Sequence, residues 1–250
     1  MTDPLTVAAV FAVFLVAGGV KGLVGFGLPA VSLALLTLAL DLTTAMVLVL
    51  VPSFVTNVWQ AAAGGNGRAI AGRIWPFLAM ATATVWLGAL ALVRVDVAWL
   101  SGLLGLVLVT YSALNLGGVR FALSARQEVW AGPALGAVNG VLTGMTGTFL
   151  VPGILFLQAI GMSRDMLVQA LGMLFTLSTV ALALALHGNG LLHVSLGSLS
   201  AAALIPAAIG MAVGQRVRKR LSEERFRRIL FIALLLLGAY IVIRSGRALA

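Results

Sequence analysis

The sequence predicts an all-α integral membrane protein of about eight transmembrane segments in two repeats of four, the first segment of each repeat broken or re-entrant. Three observations predict it. Of 250 residues, 61% are hydrophobic and 9% charged, whereas soluble domains carry about 25% charged residues, so no soluble fold hides this much apolar surface. The apolar residues run continuously, rich in Leu, Ala and Val, instead of alternating with polar ones, which favours helices over a membrane barrel. A glycine-rich stretch, GGVKGLVGFG from Gly18, returns as GAVNGVLTGMTG from Gly136, 118 residues later.

Apolar segments fall at 5–40, 43–63, 71–93, 97–119, 129–160, 165–187, 191–215 and 226–243, lettered A to H. Most have the roughly 20 residues that cross a 30 Å hydrocarbon core. Segment A as one straight helix would be about 54 Å long at about 1.5 Å per residue, so it must break. Gly18, Gly19, Gly22, Gly25 and Gly27, with Pro29 just after, mark the place. Segments B, C and D follow, B opening at the polar turn Asp41-Leu42-Thr43-Thr44. Segment E repeats the plan of A, with Gly136, Gly140, Gly144 and Gly147 before Pro152, and F opens at Met162-Ser163-Arg164-Asp165. Residues 1–120 thus form a first repeat, A to D, and residues 129–250 a second, E to H, together one transmembrane domain. The other reading of these glycines is close helix packing, whose small-xxx-small spacing Gly18 to Gly22 and Gly136 to Gly140 to Gly144 satisfy. The start Met1-Thr2-Asp3-Pro4 lacks the basic region and cleavage site of a removable signal, so the first segment is expected to be retained.

The formal net charge is +9, but the basic residues sit between apolar runs, not on a soluble face interleaved with aromatics. That excludes nucleic acid as a partner and points to cytoplasmic loops facing anionic lipid. If A and E each cross once, Arg68, Arg73, Arg120, Arg126, Arg244 and Arg247 share one side and nine basic residues the other. If both are hairpins, Arg68, Arg73, Arg120, Arg126, Arg164 and the run 216–228 make twelve against three, Arg94, Arg244 and Arg247. The positive-inside rule prefers the second arrangement, with both termini outside and the halves inverted. There is no cysteine, which excludes a disulfide framework and a thiolate site.

Lys21 is the only charge well inside an apolar segment, since the seven acids all lie at segment ends or in loops. A charge at that depth costs about 2.5–3.5 kcal/mol on insertion scales and is usually functional. An anionic substrate is its simplest counter-ion, assisted by N–H groups at broken-helix starts. The alternative is a lysine snorkelling to an interface. Asn139, Thr143, Thr146 and Thr148 lie beside the glycines of E and offer neutral donors. The expected substrate-binding set is Lys21, Gly22, Gly25, Phe26 and Gly27 in A, Asn139, Gly140, Thr143, Gly144, Thr146 and Gly147 in E, and Asn57 and Gln169 in B and F. Gln60 and Thr176 are second-tier candidates. His187 and His193 flank a turn and read as surface residues, not as a metal site. Trp75, Trp99 and Trp130 suit an interfacial belt.

No phosphate-binding loop, HExxH, nucleophile elbow or paired intramembrane carboxylate appears. The chain is therefore read as no enzyme, with no catalytic residue, metal or cofactor.

The stretch Lys21-Gly22-Leu23-Val24-Gly25-Phe26-Gly27 resembles the KGxxGFG-like signature of the sulfite exporter TauE/SafE family, also called TSUP transporters. Residues 140–147 followed by Val151-Pro152 resemble its second glycine motif. The sequence departs from the family where Gly147 is followed by Thr148 and Phe149 in place of a GxGGG run, and where Pro29 comes early. The resemblance implies a secondary transporter in the bacterial inner membrane, moving sulfite, a sulfonate, sulfoacetate or a related anion through a midplane site between the broken segments. Its partners would be that anion, membrane lipids and, as an open option, further copies of the chain as a homo-oligomer. Two alternatives remain: a cation-coupled transporter, which predicts buried carboxylates, and a non-transporting membrane scaffold, for which the glycines are packing surfaces.

Overall fold

Glycine placement decides where the long apolar segments stay helical and where they turn. In the computed structural model, residues 3–192, 194–218 and 223–249 are described. His193 and the part of the basic run at 219–222 lie outside the described residues. Among the described residues the regular structure is all helical: α1 Pro4–Val24, α2 Leu28–Leu36, α3 Leu42–Ala62, α4 Gly67–Ala83, α5 Val85–Ala89 with a 3₁₀ turn Leu90–Val93, α6 Val97–Leu116, α7 Ala125–Thr146, α8 Gly153–Ala159, α9 Arg164–Gly188, α10 Val194–Arg218 and α11 Glu223–Leu249.

Seven of these stretches are long and apolar enough to cross a membrane: Pro4–Val24, Leu42–Ala62, Gly67–Val93, Val97–Leu116, Arg164–Gly188, Ser195–Arg218 and Glu224–Leu249. The eighth long helix, α7, has 22 residues, but its glycines, Asn139 and threonines dilute its apolar content. It starts at Ala125, four residues before the expected segment, because Ser124 and Gln127 close a capping box that satisfies two orphan backbone donors. The basic run 216–228 is not the loop expected of it throughout: Arg216 and Arg218 sit in the last turn of α10, and Arg225, Arg227 and Arg228 lie within α11.

The contacts divide the chain into two units. Unit one holds Met1–Pro52, Asp96–Gly118 and Leu192–Ala250, and unit two holds Ser53–Val95 and Val119–Leu191. Each therefore takes elements from both halves of the sequence.

In unit one, α1 lies on α10, with Gly18 against Ala207, Gly22 against Met211 and Gly214, and Gly210 against the Leu15 carbonyl. In unit two, α7 lies on α4 and α5, with Gly136 against Phe77, Gly140 against Ala81 and Thr84, and Gly144 against Val85 and Gly88. A Cβ at any of these glycines would run into backbone, and backbones this close are how membrane helices gain packing energy without a hydrophobic drive. The packing reading thus holds for Gly18, Gly22, Gly136, Gly140 and Gly144, which all stay inside helices. Of the glycines in the two repeated stretches, Gly25, Gly27 and Gly147 turn the chain.

Candidate functional site

The first break lies in unit one. Gly25 ends α1 in the left-handed region with φ 89°, and its N–H donates to the Lys21 carbonyl at 2.8 Å. Gly27 opens α2 with φ 101°, and its carbonyl accepts from the Val31 N–H at 2.9 Å. Two left-handed residues within three positions require glycine, with Phe26 between them. One turn before the break stands Lys21, only 4% exposed. It directly precedes Gly22, which brings α1 onto α10.

Except for Leu35, every residue of α2 is buried, as expected of a helix that is apolar all round. Its hydroxyls are used within the helix: Ser32 Oγ donates to the Leu28 carbonyl at 2.6 Å and Thr37 Oγ1 to the Leu33 carbonyl at 2.8 Å. What α2 leaves open is its start, where Pro29 has no N–H and the neighbouring first-turn amides have no acceptor within the helix.

The second break lies in unit two and is longer. Gly147 ends α7 with φ 72°, its N–H donating to the Thr143 carbonyl at 2.8 Å. The chain then runs without helix through Thr148 and Phe149 to a cis Val151–Pro152 bond before α8. Thr143 Oγ1 donates to the Thr148 carbonyl at 3.1 Å, Thr146 Oγ1 to the Leu142 carbonyl at 2.6 Å, and the Thr148 N–H to Thr146 Oγ1 at 3.3 Å. Two of the three threonine hydroxyls are therefore taken up in holding the turn.

Asn139 ties the turn to α8, its Oδ1 accepting from the Gly153 N–H at 2.9 Å. That bond fixes which way the carboxamide points. A side chain at position 153 would collide with Asn139 and Leu174, so the bond also needs glycine there. Asn139 Nδ2 and Thr148 Oγ1 are fully buried and have no hydrogen-bond partner. Native proteins seldom leave such groups unpaired.

Helix α9 lines the same turn through Phe175, whose ring lies 5.5 Å from that of Phe149, and through Leu174 beside position 153. Ser178, one turn on from Leu174 and on the same face, is buried with its Oγ unpartnered. Nothing in the sequence singles it out, because a lone serine in an apolar helix usually bonds its own backbone, as Thr176 and Thr179 do to the Gly172 and Phe175 carbonyls.

The remaining expected residues are placed elsewhere or used otherwise. Gln169 Nε2 donates to the Ala61 carbonyl at 2.8 Å and its Oε1 accepts from the Asn66 N–H at 3.0 Å, while Gln60 Nε2 donates to the Val168 carbonyl at 2.7 Å. These two amides clamp the end of α3 to the start of α9. Asn57 is buried within α3, and His187 is exposed at the end of α9. Trp75, Trp99 and Trp130 are all exposed.

A family model for the sulfite exporter TauE/SafE proteins matches residues 10–241, a span that includes both breaks and all but the ends of the chain. The chain belongs to the sulfite exporter TauE/SafE family. That is a family of membrane transporters, not of enzymes, and seven membrane-capable helices make this member a multi-pass membrane protein. Among curated proteins and solved structures nothing matches. The TauE/SafE match spans Lys21, Gly25, Asn139 and Thr148, and so both breaks.

Proposed function

We propose that this TauE/SafE protein is a secondary transporter that moves sulfite, a sulfonate or a related small oxyanion across the bacterial inner membrane, and that the breaks, near the bilayer midplane, are where the anion is handled. Lys21 supplies positive charge in unit one. Asn139 and Thr148, joined by Ser178, supply neutral donors in unit two. The observation that carries this reading is the pair of buried donors without partners, Asn139 Nδ2 and Thr148 Oγ1. Each unpaired buried polar group costs about 1–3 kcal/mol, and an oxyanion, whose oxygens only accept, removes that cost when it binds. No nucleotide-binding motif occurs in the sequence, which supports transport driven by gradients.

The test is flux of labelled sulfite and methanesulfonate into proteoliposomes, compared between the parent and Asn139→Asp. The aspartate keeps an oxygen for the Gly153 N–H and so keeps the turn, but it replaces the open donor with an anionic acceptor. Saturable flux in the parent and its loss in a folded Asn139→Asp variant are expected. Equal flux in the two would remove Asn139 from the site.

A further inference from the structure

In each unit, the short helix after the break ends on an arginine from a long helix. The last carbonyls after α2, those of Thr37 and Leu38, accept from Arg244 Nη1 of α11 at 3.2 and 2.7 Å. The carbonyl of Ile160, at the end of α8, accepts from Arg73 Nη2 of α4 at 2.8 Å, and the Ala159 carbonyl before it accepts from the Leu123 N–H at 2.9 Å. Arg73 is held in turn by Glu128 of α7, Nε to Oε1 and Nη2 to Oε2, both at 2.8 Å.

A helix of nine or seven residues is only about 14 or 10 Å long, too short to reach both membrane faces. Its terminal carbonyls have no intrahelical partners, lipid offers none, and the negative end of the helix favours a cation. A pocket of about 340 Å³, lined in part by Arg73, Phe77, Glu128, Pro133 and Phe156, lies beside α8 at the arginine. Arg73 lies at the start of segment C and Arg244 just after segment H, which are not corresponding places in the two halves, so the device is not a simple relic of the repeated motif.

The geometry points to Arg73 and Arg244 as positioning residues: each pins the far end of the short helix whose near end carries a break, and flux depends on both although neither is a ligand of the anion. With its far end fixed by Arg73, α8 presents the Gly153 N–H to Asn139 in one place. With its far end fixed by Arg244, α2 holds its open first turn at the Gly25 to Gly27 break. The flux part of this inference rests on the transport reading, and the local part does not.

Backbone hydrogen exchange of the full-length protein in lipid nanodiscs tests the local part. Arg73→Ala should speed exchange across 153–160 by about tenfold or more, the weight of one charge-assisted hydrogen bond, and leave 28–36 unchanged; Arg244→Ala should do the reverse. In proteoliposomes both variants should lower the maximal rate while leaving the half-saturating anion concentration unchanged. Lysine at either position should restore part of the rate, since an ammonium still donates to a carbonyl, and it is the variant to read if alanine prevents folding. Glu128→Gln, which leaves the Arg73 bond to Ile160 available, should stay close to the parent. Unchanged exchange in Arg73→Ala and Arg244→Ala overturns the inference, as does a raised half-saturating concentration at full maximal rate, which would make the arginines anion ligands. A loss in Glu128→Gln equal to that in Arg73→Ala overturns it for Arg73, leaving the ion pair as the operative contact. A parent that moves neither sulfite nor methanesulfonate defeats the transport reading, and the exchange result then decides the local part alone.

Discussion

At position 21 the residue before a packing glycine is a buried cation; at position 139, 118 residues on and again directly before a packing glycine, it is a buried carboxamide. Gly22 and Gly140 do the same work, each bringing a long helix against the backbone of another. The turns that follow differ. The first is short, with its hydroxyls at Ser32 and Thr37 consumed in α2, whereas the second is long and leaves Asn139 Nδ2 and Thr148 Oγ1 open. The comparison separates frame from chemistry. Glycines set where a helix packs and where it turns, and the residues beside them are free to diverge, toward charge in one unit and toward neutral donors in the other.

The largest expected effects come from breaking the shared frame. Gly22→Leu and Gly140→Leu each force a side chain into backbone atoms of the facing helix. Overpacking by a few methylenes costs about 1–3 kcal/mol even where side chains can yield, and backbone yields less. Both variants should therefore lose most folded protein in a detergent thermal-shift assay, and to a similar degree. Gly197→Ala, where nothing lies within reach of an added Cβ, is the control and should melt like the parent. A well-folded Gly140→Leu beside an unfolded Gly22→Leu would mean that the two frames are not alike.

Next comes the charge that only the first break carries. If Lys21 is a ligand of the anion, as proposed, Lys21→Ala should abolish anion flux while leaving the protein folded, since its removal relieves the cost of burying a cation. Lys21→Arg should transport at a reduced rate, since the guanidinium is larger and fixes its donors in a plane. Full flux in Lys21→Gln would return the lysine to a snorkelling role and leave any anion to neutral donors. Rates measured with the three variants in matched proteoliposomes separate these outcomes.

Both breaks were legible in the sequence because left-handed turning is a local property: Gly25, Gly27 and Gly147 need nothing beyond themselves and their neighbours to mark a turn. Which of the other glycines pack was legible in the four-residue spacing of Gly18 to Gly22 and Gly136 to Gly140 to Gly144, but the partner helix was not, since Gly18 and Gly22 meet α10, which lies far away in sequence. The start of α7 was written in Ser124 and Gln127, but the charged residues Arg126 and Glu128 make that stretch look like a loop. Arg73 counted only as a loop charge, and its hold on Ile160 depends on where α8 ends. Among the hydroxyls, Thr143 and Thr146 were expected to face an anion, yet the path of the chain from Thr148 to Pro152 supplies them with protein partners and leaves Thr148 without one. The chain path there is not helical, so no periodicity announces it.

That last distinction yields the smallest and most discriminating prediction, within the second break alone. Thr143→Val removes the donor to the Thr148 carbonyl and should lower stability by about 1–3 kcal/mol, the cost of leaving a buried acceptor unpaired. Its effect on anion affinity should be slight, because the one proton of that hydroxyl is already donated to a protein carbonyl. Thr148→Val removes a hydroxyl that no protein group engages, keeps the shape of the side chain, and should leave the melting temperature unchanged or slightly raised. If that hydroxyl donates to the bound oxyanion, the half-saturating concentration should rise about tenfold, as the loss of one hydrogen bond to a charged group implies. The two variants thus move opposite observables. Should Thr148→Val lose stability while its half-saturating concentration stays that of the parent, the hydroxyl belongs to the turn like its neighbours, and the contrast drawn between the two breaks narrows to Lys21 and Asn139.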